Sequence, residues 1–365
     1  MKLTFLLALL ALGFLKAQTP AINLLSHISG GISQHQIDTI FSRAQFFPDN
    51  TQLSVAVIEN GEVKFYGVIR ENDSLKYTNN SQNAFEVGSI TKVFTSTLLA
   101  NMVVSGKISL EDKINAVFPV EFKDGIEISY KQLANHTSGL PRLPSNMGAG
   151  GNLDPKNPYK YYDEKALLDY LSAHLALEYE AGSKSNYSNL GTGLLASALK
   201  YNSGLSFDKM AEDWVFDKYD MKNSTLNEND VAGILIKGRN PEGEITPVWS
   251  LSALTGAGGI LSTAEDLTKF LLAQFNPENK ELALTREKTF EDNPGMDIGL
   301  GWMIIKRKDG AKWYWHNGGT GGYTSFMAVD LEKKSGVVVL SNLSAYHPKS
   351  RSIDDLGFAL MRSLK

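Results

Sequence analysis

The chain has 365 residues, 42% of them hydrophobic, enough for a large core in two domains or in one domain with lobes. Lysine and arginine number 36 against 40 aspartates and glutamates, a formal charge of -4, and neither sign forms a run that could track phosphates, so nucleic acid is not an expected partner. The absence of cysteine excludes a disulfide framework and thiolate ligands, and the histidines lack zinc-type spacing, so neither a metal nor a cofactor is expected.

The first residues, MKLTFLLALLALGFLKAQTP, run from Lys2 through a short apolar stretch to Ala17 and then to polar residues. This layout predicts a signal peptide over residues 1–17 and a mature chain over residues 18–365. The protein is then exported, to the periplasm or beyond the cell, with no stable membrane insertion after cleavage. An uncleaved anchor is the alternative, because Leu15 is large for a place three residues before the cut.

Residues 53–58 and 63–69 read as strands, and Asn60-Gly61 between them is a strong hairpin signal. Helix formers and apolar residues fill positions 90 to 104, with Gly106 where a helix would end, so Ser89 stands at a helix start. Residues from about 108 to 250 mix helical patterns such as DEKALLDYLSAHLAL with loops such as LPRLPSNMGAGGNLDPKNP. Strand patterns then return in GLGWMIIKR, KWYWHNGG, YTSFMAVDL and SGVVVLSNL, ahead of the amphipathic SIDDLGFALMRSLK. The pattern predicts an α/β fold, an antiparallel sheet flanked by helices with an inserted mainly helical lobe. The α/β lobe takes about 18–95 and 255–365, the helical lobe about 96–254.

Ser-x-x-Lys occurs three times, at Ser89/Lys92, Ser197/Lys200 and Ser206/Lys209. Ser206 precedes a helical pattern and reads as its N-cap. Ser197 lies within another, where Lys200 falls in the last turn and complements the helix dipole. Ser89 differs because Gly88 before it lets the backbone turn sharply into a helix. A nucleophile there sits in positive potential, with Lys92 one turn along the same face.

Two later stretches decide between chemistry and coincidence. Tyr187-Ser188-Asn189 and His316-Asn317-Gly318-Gly319 follow in order, together with QLANHTSGLP and AGGILSTAEDL. This ordered set resembles the serine β-lactamase and penicillin-binding superfamily, specifically its class C branch, over nearly the whole mature chain. A second Tyr-x-Asn, Tyr77-Thr78-Asn79, lies on the wrong side of Ser89.

The resemblance implies that Ser89 attacks a carbonyl and becomes acylated, that Lys92 is a base or a field-setting charge, and that Tyr187 shuttles the proton to the leaving group. Which of the last two takes the serine proton stays open. Asn189 would bind Lys92 and substrate, and the backbone N–H groups of Gly319 and Ser89 would form an oxyanion hole, with His316, Asn317 and Gly318 lining the substrate site. Ser262 and Glu265 have capping-box spacing and predict a helix start, and His136 and Thr137 are expected to shape the cleft.

The third motif departs from the Lys-Thr-Gly of β-lactamases and transpeptidases. An ordinary imidazole at position 316 is mostly neutral at pH 7, so carboxylate recognition is weakened or moves elsewhere, with Arg142 and Lys312 as candidates. The expected activity is hydrolysis of an amide, lactam or ester in a small molecule or peptide, of the β-lactam or D-amino-acid peptide type. Poor penicillin turnover and better turnover of neutral esters are expected. A carboxylesterase of the same fold and a non-catalytic binding protein are the alternatives, and the oligomeric state is open.

Overall fold

The computed structural model describes residues 31–149, 151 and 153–364, so the predicted leader lies outside the described residues. The first element, α1 (Gln34–Ala44), was not foreseen; Ser33 and Gln36 cap it reciprocally. The hairpin of β1 (Gln52–Glu59) and β2 (Glu62–Glu71) follows, turning at Asn60 and Gly61 with φ of 54° and 82°, the positive values that Asn-Gly supplies. Next come β3 (Ser74–Thr78) and the short β4 (Ala84–Glu86).

One 3-10 turn, Gly88–Ile90, leads into α2 (Thr91–Val104), which is buried from Thr91 through Ala100. A helix covered on every side needs no polar face, and this sequence has almost none. The middle of the chain holds α3 (Tyr130–Ala134), α4 (Glu164–Asp169), α5 (Asn189–Ser203) and α6 (Phe207–Ala211). Ser206 caps α6 as expected, and Lys200 in the last turn of α5 pairs with Glu164 at 2.9 Å, so both of those Ser/Lys pairs are structural.

The chain then forms β5 (Leu261–Thr263), which pairs with β4, and α7 (Ala264–Ala273). Here the structure corrects the sequence reading by one residue. Thr263 is the cap of α7, accepting from the Asp266 N–H, while Ser262 remains in the strand and shares a hydrogen bond with Ser224. After α8 (Lys280–Thr285) come β6 (Phe290–Asn293), β7 (Met296–Ile298), β8 (Met303–Lys306), β9 (Lys312–Gly319), β10 (Thr324–Asp330), β11 (Ser335–Ser341) and α9 (Arg351–Ser363).

Nine strands form one antiparallel sheet in the order β3-β2-β1-β11-β10-β9-β8-β7-β6, so the first strand lies beside the last. Alternation along each strand divides its side chains between two cores. Leu53, Val55, Phe326, Val337 and Val339 face α1 and α9. Ala56, Ile58, Met327, Val338 and Leu340 face α2, α7 and the helical region. The same alternation places Trp313 and Trp315 toward α9 and turns His316 toward α2.

Candidate active site

Position 92 puts a lysine on the first turn of α2, within its buried stretch, where its amine is fully covered. Nζ lies 3.0 Å from Ser89 Oγ, 2.9 Å from Asn189 Oδ1 and 2.6 Å from the Ala257 carbonyl oxygen. Burial, assisted by the Arg142 guanidinium, drives its pKa well below the usual lysine value. Nζ donates to all three, the two carbonyl oxygens and the serine hydroxyl oxygen.

Tyr187 completes the group. Its ring lies 4.8 Å from Lys92 Nζ, against His136 on one side with centroids 4.5 Å apart. Burial raises its phenol above the ordinary tyrosine range, with the Ser89 hydroxyl and Arg142 acting in the opposite direction. The resting phenol is therefore protonated and able to donate. Ser188, between Tyr187 and Asn189, caps α5 through the Gly191 N–H and donates to the Pro141 carbonyl, which fixes the motif to the preceding loop. Asn189 also donates through Nδ2 to the Tyr159 hydroxyl at 2.8 Å.

The end of β9 closes on the turn that carries Ser89. Gly88 has φ of 50°, and a methyl group built on it would lie 2.6 Å from the Gly319 nitrogen. A methyl group on Gly318 would overlap the Val87 carbonyl oxygen, which accepts from Ser325 Oγ at 2.8 Å. Only glycines allow this approach, which sets the Gly319 amide against Gly88, the residue before Ser89. Together they face a cleft of about 560 Å³ lined also by Arg142, Tyr159, Tyr187, Asn189, Trp249 and Asn317.

His316 is placed differently from its neighbours in the third motif. It lines a smaller cavity of about 260 Å³, with His136 and Trp302, on the other side of Tyr187 and Met303. Its Nδ1 lies 2.6 Å from the Asn317 carbonyl, an acceptor, so Nδ1 carries the proton. Nε2 is then a buried acceptor with no partner among the described residues. Burial and the nearby Lys92 lower the imidazole pKa to about 3, so it is neutral at pH 7. Asn317, one residue on, points the opposite way and donates to Asp354 of α9 at 2.9 Å. His136 Nδ1 accepts from the Ser188 N–H at 3.3 Å, which supports the Tyr187 segment from behind.

Glu86 was not singled out from sequence. Its carboxyl is 3% exposed and accepts from the Trp249 N–H at 2.6 Å and from the Thr320 hydroxyl at 2.7 Å. It thereby joins the strand before Ser89, the residue after Gly319 and a residue lining the cleft. Burial raises its pKa to about 8. A charged residue between apolar ones in AFEVG was the available signal. Tyr159 and Trp249 gave none, since they come from loops without periodicity, and Ala257 was covered only as the first residue of AGGILSTAEDL.

A model of the β-lactamase family matches residues 44–360. The chain belongs to the β-lactamase family. It is a serine hydrolase of that family, and its relatives span two named activities. It is 26% identical over 334 residues to the D-alanyl-D-alanine-carboxypeptidase/endopeptidase AmpH of Escherichia coli K12, covering 84% of each chain. It is 26% identical to a β-lactamase of Pseudomonas fluorescens, covering 80% of this chain and 89% of the other. The crystal structure of a β-lactamase/D-alanine carboxypeptidase from Pseudomonas syringae superimposes with a TM-score of 0.73 at 22% identity, over 91% of this chain and 98% of that one. That superposition supports the antiparallel sheet with flanking helices read from the sequence.

Proposed function

We propose that the protein hydrolyses the amide bond of D-amino-acid peptides, and of lactams that resemble them, through an acyl-enzyme on Ser89. The observation that carries this reading is the buried Lys92 amine held between two carbonyl oxygens with Ser89 as its third neighbour. Ser89 Oγ adds to the substrate carbonyl while its proton passes to neutral Lys92. The carbonyl π electrons move to the oxygen, held by the backbone N–H groups of Ser89 and Gly319. The C–N bond then breaks and Tyr187 protonates the departing nitrogen, recovering a proton through Lys92. Water repeats the sequence on the ester and releases the acid. The lowered Lys92 and raised Tyr187 pKa values favour lysine as the base that takes the serine proton.

Neutral His316 supports the expectation that penicillins are poor substrates relative to those that need no third-motif cation. The Lys2-to-Ala17 leader layout supports export. The test is intact-mass measurement on the purified protein after incubation with a slow acylating lactam, followed by peptide mapping. One adduct on Ser89, absent in Ser89→Ala, is expected; an adduct on Ser197 or Ser206, or none at all with any acyl donor, would sink the reading.

A further inference from the structure

The third motif has no cation to offer a substrate, and Lys92 is spent. Its nitrogen is buried and its neighbours are already filled by Ser89, Asn189 and Ala257. Two other cations line the cleft, Arg142 and Arg351. Lys312, the other sequence candidate, starts β9 and stands seven residues from Gly319, about 23 Å along an extended strand.

Arg142 is set over the reacting groups. Its guanidinium carbon lies 5.1 Å from the Tyr187 ring centroid, and among the described residues no carboxylate pairs with it. Its backbone is anchored to the motif, since the Arg142 carbonyl accepts from the N–H groups of Asn189 and Leu190, both at 3.1 Å. The neighbouring Pro141 carbonyl accepts from Ser188 Oγ at 2.6 Å. The loop is therefore tied to Tyr187 and Asn189, while the exposed guanidinium keeps its five donors available. Arg351, by contrast, shares the start of α9 with Asp354, whose carboxyl it acts upon.

We infer that Arg142 is the specificity-determining residue that binds a free carboxylate on the leaving group of the substrate. This rests on the acyl-hydrolase reading above. The chemistry fixes the distance: Tyr187 protonates the leaving nitrogen, and in a C-terminal amino acid the carboxylate is one carbon beyond that nitrogen. A cation over the Tyr187 ring reaches it in a bidentate pair, the geometry that guanidinium favours and ammonium does not. The preferred substrates are then peptides cut at a C-terminal D-residue that carries its free carboxylate, and interior or amidated peptides are disfavoured.

The test compares N-acetyl-D-alanyl-D-alanine with its C-terminal amide, and with p-nitrophenyl acetate as a substrate lacking any carboxylate, in wild-type protein, Arg142→Gln, Arg142→Lys and Arg351→Gln. Wild type should prefer the free carboxylate over the amide. Arg142→Gln should raise KM for the carboxylate peptide about 10- to 100-fold and abolish the preference, while any change in turnover through the lost effect on Lys92 and Tyr187 should be smaller and shared by the amide and p-nitrophenyl acetate. Arg142→Lys should recover part of the preference, and Arg351→Gln should keep it. Equal losses on all three substrates would make Arg142 a support for Tyr187 and overturn the inference. So would loss of the preference in Arg351→Gln, or no preference in wild type. If wild type turns over the ester through Ser89 but shows no preference, the anchor alone fails; if Ser89 is never acylated, the acyl-hydrolase reading fails with it.

Discussion

Lys92 occupies a helix position at which burial ordinarily selects an apolar side chain, and its three neighbours compensate only partly for the loss of water. The resulting depressed pKa suits it to the proposed role of base. Lys92→Ala and Tyr187→Phe should each lower turnover severely, and the double variant should lose far less than the product of the two, because one proton relay is broken only once. Strictly multiplicative losses in steady-state rates would argue against a shared relay. Glu86 makes a separate prediction. Its folded pKa is about 8 against an ordinary 4.5, so its contribution to stability is fully present below about pH 4.5 and is lost as pH rises through 8. In Glu86→Gln the amide can still accept from Trp249 and donate to Thr320, so denaturant unfolding should show a flatter pH dependence between 5 and 9, by a few kcal/mol. An unchanged slope would mean that the carboxyl is not held protonated. Ser89, Lys92, Tyr187 and Asn189 were legible because residue type, order and spacing carry the information. Glu86 and Tyr159 were not, since their importance lies in contacts between segments far apart in sequence.

Strand parity explains the one surprise in the third motif. Trp315 and Asn317 face α9, and His316 between them must face the other way, behind Tyr187. Parity was readable in KWYWHNGG once the two tryptophans were assigned to a core, but which core each faced depended on α9 being docked. The hairpin and the late strands were legible from alternation and from Asn-Gly. Helix α1 was hidden by its polar composition, and β6 and β7 by their shortness and polarity. The tight crossing of β9 over the Ser89 turn yields a prediction at this scale. Gly318→Ala should destabilise the protein by roughly 1–3 kcal/mol and slow turnover as well, since the methyl group can be accommodated only by moving β9 from Val87. Gly233→Ala, with open space around the added methyl, should shift stability by no more than about 0.5 kcal/mol. Thermal melting and initial rates on both variants check the pair, and a fully active, equally stable Gly318→Ala would show that the crossing does not position the site.

At the scale of the whole molecule, strand patterns at both ends of the sequence with helices between them implied that the ends meet, although not which strands pair. The pairing found is β1 with β11, with Leu53 opposite Ser341. That adjacency governs the time course of folding. The N-terminal hairpin is local and can form early, but its inner edge stays unpaired until a strand almost 290 residues later is available. A chain emerging from a ribosome or through a membrane pore therefore cannot complete its central sheet until nearly the whole sequence has passed. Refolding from urea, followed by tryptophan fluorescence and recovery of activity, should take seconds or longer. Removal of residues 331–365 should leave β1 and β10 as open, apolar edges that aggregate, and recovery within milliseconds, or a soluble folded truncation, would show that closure of the ends is not the controlling event.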